Sequence, residues 1–519
     1  MWKRKKLDDV GPLESSFNED AEPRDTAEDG HALEAGVPWK RFVSVEHMIL
    51  LFWIIGFAVW AMHPISDPDT PWHIATGRYI LIHHHVPTTD PFSWSMKGKP
   101  WVTQEWLFEV LLAFFVNHFQ FIGAWGLLVV VHTFTVLVLY RLGIRITLGN
   151  RVIAALAAIV GTLPAVIFWV IRPQISSYLM FAIFLWILQL VREGRFRVLW
   201  LVPPLMLVWA NLHGSSLIGI LMLLIEVGLS FLPSVGRLSK LSLPRGARLR
   251  LLAAAVTGFA AGLLNPNHLK AYTYASLSTN SLMTNNILEW HSPDFHNQYF
   301  KYGVLSFLII VFLILLARKK SIPLRETLYF GGSFAVMLMY QRFFPYVSIA
   351  SVPLLASVLS GFGLRLLNPT RFMRAFNALV MAGVLVYFGM NLPKVTGPLN
   401  QHWNSSAYPI EAVNYMEENN LLKGKLLNAY GFGGYLIYRG IPTFVDGRTD
   451  IFLRGSVFSD YLNLQNLAWN APDLLDSYGF TAVLVPGNYA LTTYLSNNPN
   501  WRVAYRDNTA VLFVRQSKP

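Results

Sequence analysis

Twelve apolar runs punctuate the chain, at 46–63, 105–119, 121–140, 151–171, 174–191, 197–210, 215–232, 250–265, 302–317, 326–340, 343–361 and 374–391. Inside a bilayer, backbone polar groups find partners only within a helix or a closed barrel, and a spanning helix takes about 17–25 apolar residues. Runs of this length in series commit the chain to a polytopic α-helical membrane fold. Composition agrees: 53% of the 519 residues are hydrophobic and 14% charged, against about 25% charged in soluble domains. With no cysteine, disulfides and thiolate metal sites are excluded. The net charge of +12 does not point to nucleic acid, because Lys and Arg flanking membrane helices report topology instead.

The basic start "MWKRKK" runs into a polar stretch rather than an apolar one. It therefore does not read as a signal peptide, and residues 1–45 are expected to be a disordered cytoplasmic tail. If all twelve runs crossed the membrane, the basic loops would fall outside. If 105–119 lies along the surface instead, loops 141–151, 192–197, 233–250, 318–325 and 365–374 are inside and hold eighteen Lys/Arg, against seven in the outer segments. That is the expected asymmetry. The run 105–119 carries Glu105, Glu109, Asn117 and His118 beside a large apolar face, as an interfacial helix does. The reading is thus about eleven spans in a domain 46–394, with a long first outer loop, 64–120, and an extracytoplasmic C-terminal domain, 395–519.

That domain alternates helix and strand patterns. A helix is expected at 407–422 and strands at 424–430, 441–450, 481–487, 501–507 and 509–515, making a small α/β domain. "GFGG" (431–434) lacks the full glycine pattern of a nucleotide loop. Asp446, Arg448 and Asp450 sit at a strand end, either near a ligand or as an ion pair bracing the loop.

The same topology gathers "SDPDTPWHIATGR" (66–78), "IRPQISS", "NLHGSS", "NPNH", "EWHSPDFH" and "QRFF" at the outer ends of helices. Polar groups beside the membrane are costly and mark cavities or partners. An outer site cannot count on nucleotide sugars or ATP, so its energy must come from an activated donor delivered in the membrane or from a gradient. Carboxylates there can deprotonate a hydroxyl or hold a cation, and arginines can neutralise a phosphate.

The motifs "DPDTPWHIATGRYI", "VPTTDPFSW", "PWVTQEWLFEVLL", "IRPQ", "WANLHGS", "LLNPNH", "QRFFPYVSIASVP" and "NAYGFGGYLIYRGIPTFVDGRTDIF" resemble those of a group of bacterial polytopic membrane proteins. Over residues 46–515 the arrangement is similar to the GT-C superfamily of membrane glycosyltransferases. The resemblance implies transfer of a sugar, with inversion, from a polyprenyl-phosphate donor to a glycan, lipid or protein acceptor at the outer face of the bacterial inner membrane. It places the first-loop acidic motif on Asp67 and Asp69, and the second acidic point on Asp90, with Glu105 a further candidate. Asp69 is the expected base or metal ligand and Asp67 its support. Whether the pair holds a divalent cation, magnesium or manganese, stays open. His73 shares a helix face with Asp69. Arg78, Arg172 and Arg342 are the phosphate candidates, and His213, beside Gly214, joins the substrate site.

Plainer roles compete. Asp67 or Asp69 could cap a helix, since Pro68 suits a first helical position. "HHH" (83–85) reads as a solvated loop. Glu226 lies nearer the inner side. Trp60, Trp72, Trp94, Trp101 and Trp106 read mostly as an interfacial belt. A lipid-linked sugar transporter would place charges at the bilayer midplane within internal repeats, and no repeat is evident. A non-catalytic assembly protein of a polysaccharide pathway would not need Asp67 or Asp69.

Overall fold

Every apolar run falls on a helix of the computed structural model, which describes residues 44–232, 241–273, 280–316, 323–361 and 370–516. The expected tail lies outside these residues except for its last two positions, as do parts of three basic loops. The helices used below are α1 (Val45–Trp60), α2 (Thr70–His83), α3 (Trp106–Ile146), α4 (Arg151–Thr162), α5 (Gln174–Arg192), α6 (Val202–Leu212), α7 (Leu217–Leu229), α8 (Arg245–Gly262), α9 (Leu305–Leu316), α10 (Leu324–Met339), α11 (Phe344–Ser360) and α12 (Arg371–Asn391). Among the described residues five helices are long and apolar enough to cross a membrane: α3, α4 with its extension to Phe168, α5, Gln341–Ser360 and Arg371–Val395.

The expected separation of 105–119 from 121–140 takes the form of a break inside α3. Gln120 has φ 54° and ψ −137°, a conformation that L side chains rarely adopt. A Cβ on Gly123 would lie 2.2 Å from the Phe115 carbonyl oxygen. In an unbroken helix eight residues rise about 12 Å, so the two arms fold back sharply on each other. Gln120 Oε1 accepts the Leu399 N–H at 3.2 Å, which ties the bend to the C-terminal segment. The first arm packs directly on α2. A Cβ on Gly77 would stand 1.9 Å from the Glu109 carbonyl oxygen, so only glycine permits that approach.

The C-terminal sheet has strands β1 (Leu426–Asn428), β2 (Ala482–Val485), β3 (Trp501–Arg506) and β4 (Val511–Arg515) in the order β1-β2-β4-β3. β1 and β2 are parallel, and β4 is antiparallel to both its neighbours. Asp507 closes the β3–β4 hairpin by accepting the Thr509 and Ala510 N–H groups, each at 2.7 Å. The strand expected at 441–450 does not form. The Asn428 side chain takes the place of a backbone ladder there, accepting the Phe444 N–H at 2.8 Å and donating to the Val445 carbonyl at 2.7 Å.

This sheet domain packs into the first loop. Isolated bridges join Ile65 to Trp403 and Ser93 to Thr443. Trp94 donates its indole N–H to the Leu426 carbonyl at 3.0 Å. Trp72 and Trp101 are buried in the same packing rather than belonging to a membrane belt.

Candidate functional site

The D-P-D stretch divides its two carboxylates between two tasks. Asp67 Oδ1 accepts the N–H groups of Asp69 (3.0 Å) and Thr70 (3.1 Å), so it satisfies the open start of α2. Asp69 occupies the N-cap position yet makes no capping bond with its side chain. Its Oδ1 instead accepts the Trp72 indole N–H at 3.0 Å, and its Oδ2 pairs with Arg172. Asp69 is thereby aimed into a cavity of about 1250 Å³, which Asp67 does not line.

Arg172, in the turn before α5, is buried and surrounded by three carboxylates. It meets Asp67 at 2.8 Å and pairs with Asp69 and Glu289. Burial works against its charge, but the Asp67 and Glu289 carboxylates outweigh that and raise its pKa. Expected as a phosphate ligand, Arg172 has its guanidinium committed to these acids. Arg342 differs. Its guanidinium lies 4.3 Å over the Trp290 ring and faces the same cavity. Among the described residues no carboxylate oxygen lies within 4.0 Å of it. It is the cation best placed to meet an incoming anion.

A second polar cluster adjoins the first. His73 Nδ1 on α2 lies 3.0 Å from Glu109 Oε1 and 3.8 Å from Glu105 Oε2. Glu105 Oε1 faces His213 Nε2 at 3.2 Å. His213 is oriented through its other nitrogen by Ser177 (2.9 Å) and Ser215 (2.8 Å). Burial pushes the Glu105 carboxyl up to about 8, with Arg342 pulling the other way. Burial also pushes His73 down, keeping it neutral.

The remaining candidates lie elsewhere. Arg78 is outside the cavity, bonded to Asn117 Oδ1 at 2.8 Å and stacked 5.0 Å from the Tyr438 ring. Asp90 is buried below the cavity wall, where Arg448 Nη1 meets it at 2.6 Å. Arg448 also grips both oxygens of Asp446, at 2.8 and 2.7 Å. This buried triad braces the first loop against the C-terminal domain. Glu226 pairs with Arg192 and with Arg325 (3.0 Å), away from the site. Glu289, Glu109 and Tyr430 belong to the site but went unselected in the sequence; "EWHSPDFH" was the signal available for Glu289.

A divalent cation between Asp67 and Asp69 does not fit these residues as folded. Arg172 already bridges both carboxylates, and Asp67 Oδ1 is occupied by backbone donors. The donor set that does suit a cation is His73, Glu105 and Glu109, whose ligand atoms lie within 4.8 Å of one another.

From its polar end the cavity continues along an apolar wall formed by Leu221 and Ile225 of α7 and Leu328 and Val336 of α10. Tyr430, Asp450 and Tyr461 of the C-terminal domain close its other side.

No protein-family model and no curated protein matches the sequence. Solved structures do match in shape. The archaeal oligosaccharyltransferase AglB from Archaeoglobus fulgidus, in complex with an inhibitory peptide and a dolichol-phosphate, aligns with a TM-score of 0.57 at 11% identity, over 86% of this chain and 70% of that one. The oligosaccharyltransferase of the same organism in its apo form gives 0.55 at 10% identity, over 86% and 69%. The form tethered to an acceptor peptide containing the NVT sequon gives 0.51 at 11%, over 86% and 69%. At such identities the likeness is one of fold alone: the chain shares the membrane-helical fold of these oligosaccharyltransferase structures.

Proposed function

We propose that the protein is an integral-membrane glycosyltransferase. It moves a sugar from a polyprenyl-phosphate donor to a glycan, lipid or protein acceptor at the outer face of the bacterial inner membrane. The observation that carries this reading is the two-part cavity: charged and polar at one end, apolar between α7 and α10 at the other. A lipid-linked phosphate has that same division. The fold shared with AglB, solved with a dolichol-phosphate, supports it.

In this reading Arg342 receives the donor phosphate, since a guanidinium matches phosphate oxygens bidentately. Asp69 takes the proton from the acceptor hydroxyl as its oxygen forms a bond to the anomeric carbon. The bond from that carbon to the phosphate oxygen breaks, and polyprenyl phosphate leaves with the electron pair. Attack opposite the leaving group inverts the anomeric centre. Arg172 and Trp72 orient the Asp69 carboxylate, while Asp67 fixes the start of α2. His213 and Glu105 border the sugar.

The test is donor turnover by purified protein across a panel of polyprenyl-phosphate sugars, with Asp69→Asn and Arg342→Met beside the wild type. Turnover by the wild type alone supports the assignment; equal turnover by Asp69→Asn sinks it.

A further inference from the structure

Among the described residues, many of the buried and part-buried carboxylates are paired with arginine. Asp67, Asp69 and Glu289 have Arg172, Asp90 and Asp446 have Arg448, and Glu226 has Arg192 and Arg325. Among the described residues, part-buried Glu105 and buried Glu109 have no arginine within 4.0 Å. Among the described residues their only basic partners within 4.0 Å are His73 and His213. Glu109 is 1% exposed, and its Oε2 is buried without a hydrogen-bond partner. A buried carboxylate oxygen left alone is costly, which marks a missing proton or a missing cation.

We propose that His73, Glu105 and Glu109 form a divalent cation site in the cavity wall, separate from the Asp67–Asp69 pair. Ligand atoms about 2.0–2.2 Å from an ion stand about 3–4.4 Å apart, and these three lie within 4.8 Å of one another. The frame is rigid. Glu105 and Glu109 are one helical turn apart, and Gly77, one turn beyond His73, lets α2 touch the arm that carries them. An imidazole nitrogen with two carboxylates favours manganese or zinc over calcium and magnesium, which prefer all-oxygen shells. Such an ion adds positive charge to the cavity that Arg342 also lines.

The full-length protein, stripped with a chelator, is titrated with manganese and followed by electron paramagnetic resonance. One bound equivalent is expected, with nitrogen hyperfine coupling from the imidazole. Glu109→Gln and His73→Gln, which remove direct ligands, each weaken manganese binding by at least the about 10–100-fold that losing an outer-shell partner costs, while Asp67→Asn and Asp69→Asn retain it. No bound equivalent at micromolar manganese overturns the proposal. So does a bound ion without nitrogen coupling, a measurement on the wild type that holds even where a variant fails to fold. Binding lost in Asp69→Asn but kept in Glu109→Gln overturns it too, by moving the ion to the first acidic pair. Metal uptake is read without sugar transfer, so failure here and failure of the transferase reading are distinct results.

Discussion

The Asp67 carboxylate is occupied by two backbone N–H groups at the start of α2, and an asparagine oxygen can accept the same bonds. Asp67→Asn is therefore expected to keep donor turnover within about tenfold of the wild type. Asp69→Asn is expected to lose about 10²–10⁴-fold, the usual contribution of a general base, as scored by release of polyprenyl phosphate. Arg172 carries more of the stability than of the chemistry. Arg172→Met leaves three carboxylates around an empty centre and is expected to cost about 3–5 kcal/mol, read as a lowered unfolding temperature in detergent. At this scale the sequence was legible where residues lie close along the chain. Asp69, His73 and Trp72 share one helical start, and their grouping follows from spacing. Glu289 was not legible as Arg172's partner, because 117 positions separate them and no period links them. Arg172 itself shows the limit: an arginine at an outer helix end reads the same whether it awaits a phosphate or is already surrounded by acids.

Among the elements, the contact between α2 and the first arm of α3 sets the distance between the two acidic clusters. Gly77 sits at that contact, and its neighbour is backbone, which cannot swing aside. Gly77→Ala is expected to cost about 1–3 kcal/mol through overpacking and to impair turnover by parting His73 from Glu109. Gly56→Ala, where a Cβ meets nothing within 4 Å, serves as the control and should leave the unfolding temperature within a degree or two. The break between 105–119 and 121–140 was readable as a gap between two apolar runs at Gln120. The failed strand at 441–450 was not. "IPTFV" alternates as a strand does, but the Asn428 side chain occupies the bonds that a ladder would use, and nothing local to 441–450 announces it.

For the molecule as a whole, the Asp90–Arg448–Asp446 triad holds the first loop to the C-terminal domain. Removing one partner strands a buried charge, so Arg448→Gln or Asp90→Asn is expected to cost about 3–5 kcal/mol. The double variant should cost less than the sum of the two, a coupling measurable by a mutant cycle. Limited proteolysis should show earlier cleavage at the loop in both single variants. That apolar helices precede a stretch holding the strands was legible from runs and composition shifts. That the two parts share a cavity was not, because Asp90 and Arg448 stand 358 positions apart.

A Cβ on Gly447 would stand 1.8 Å from Asp69 Oδ1, and a Cβ on Gly434 would stand 2.0 Å from the Pro68 carbonyl oxygen. The Asp69 carboxylate, made among the first seventy residues, thus acquires its C-terminal neighbours only when the last ninety are being made, after Trp72 and Arg172 are already in place. At about 5–20 residues per second, a newly made chain carries an unfinished site for most of its synthesis. Under the proposed function, donor turnover waits until the chain is nearly whole.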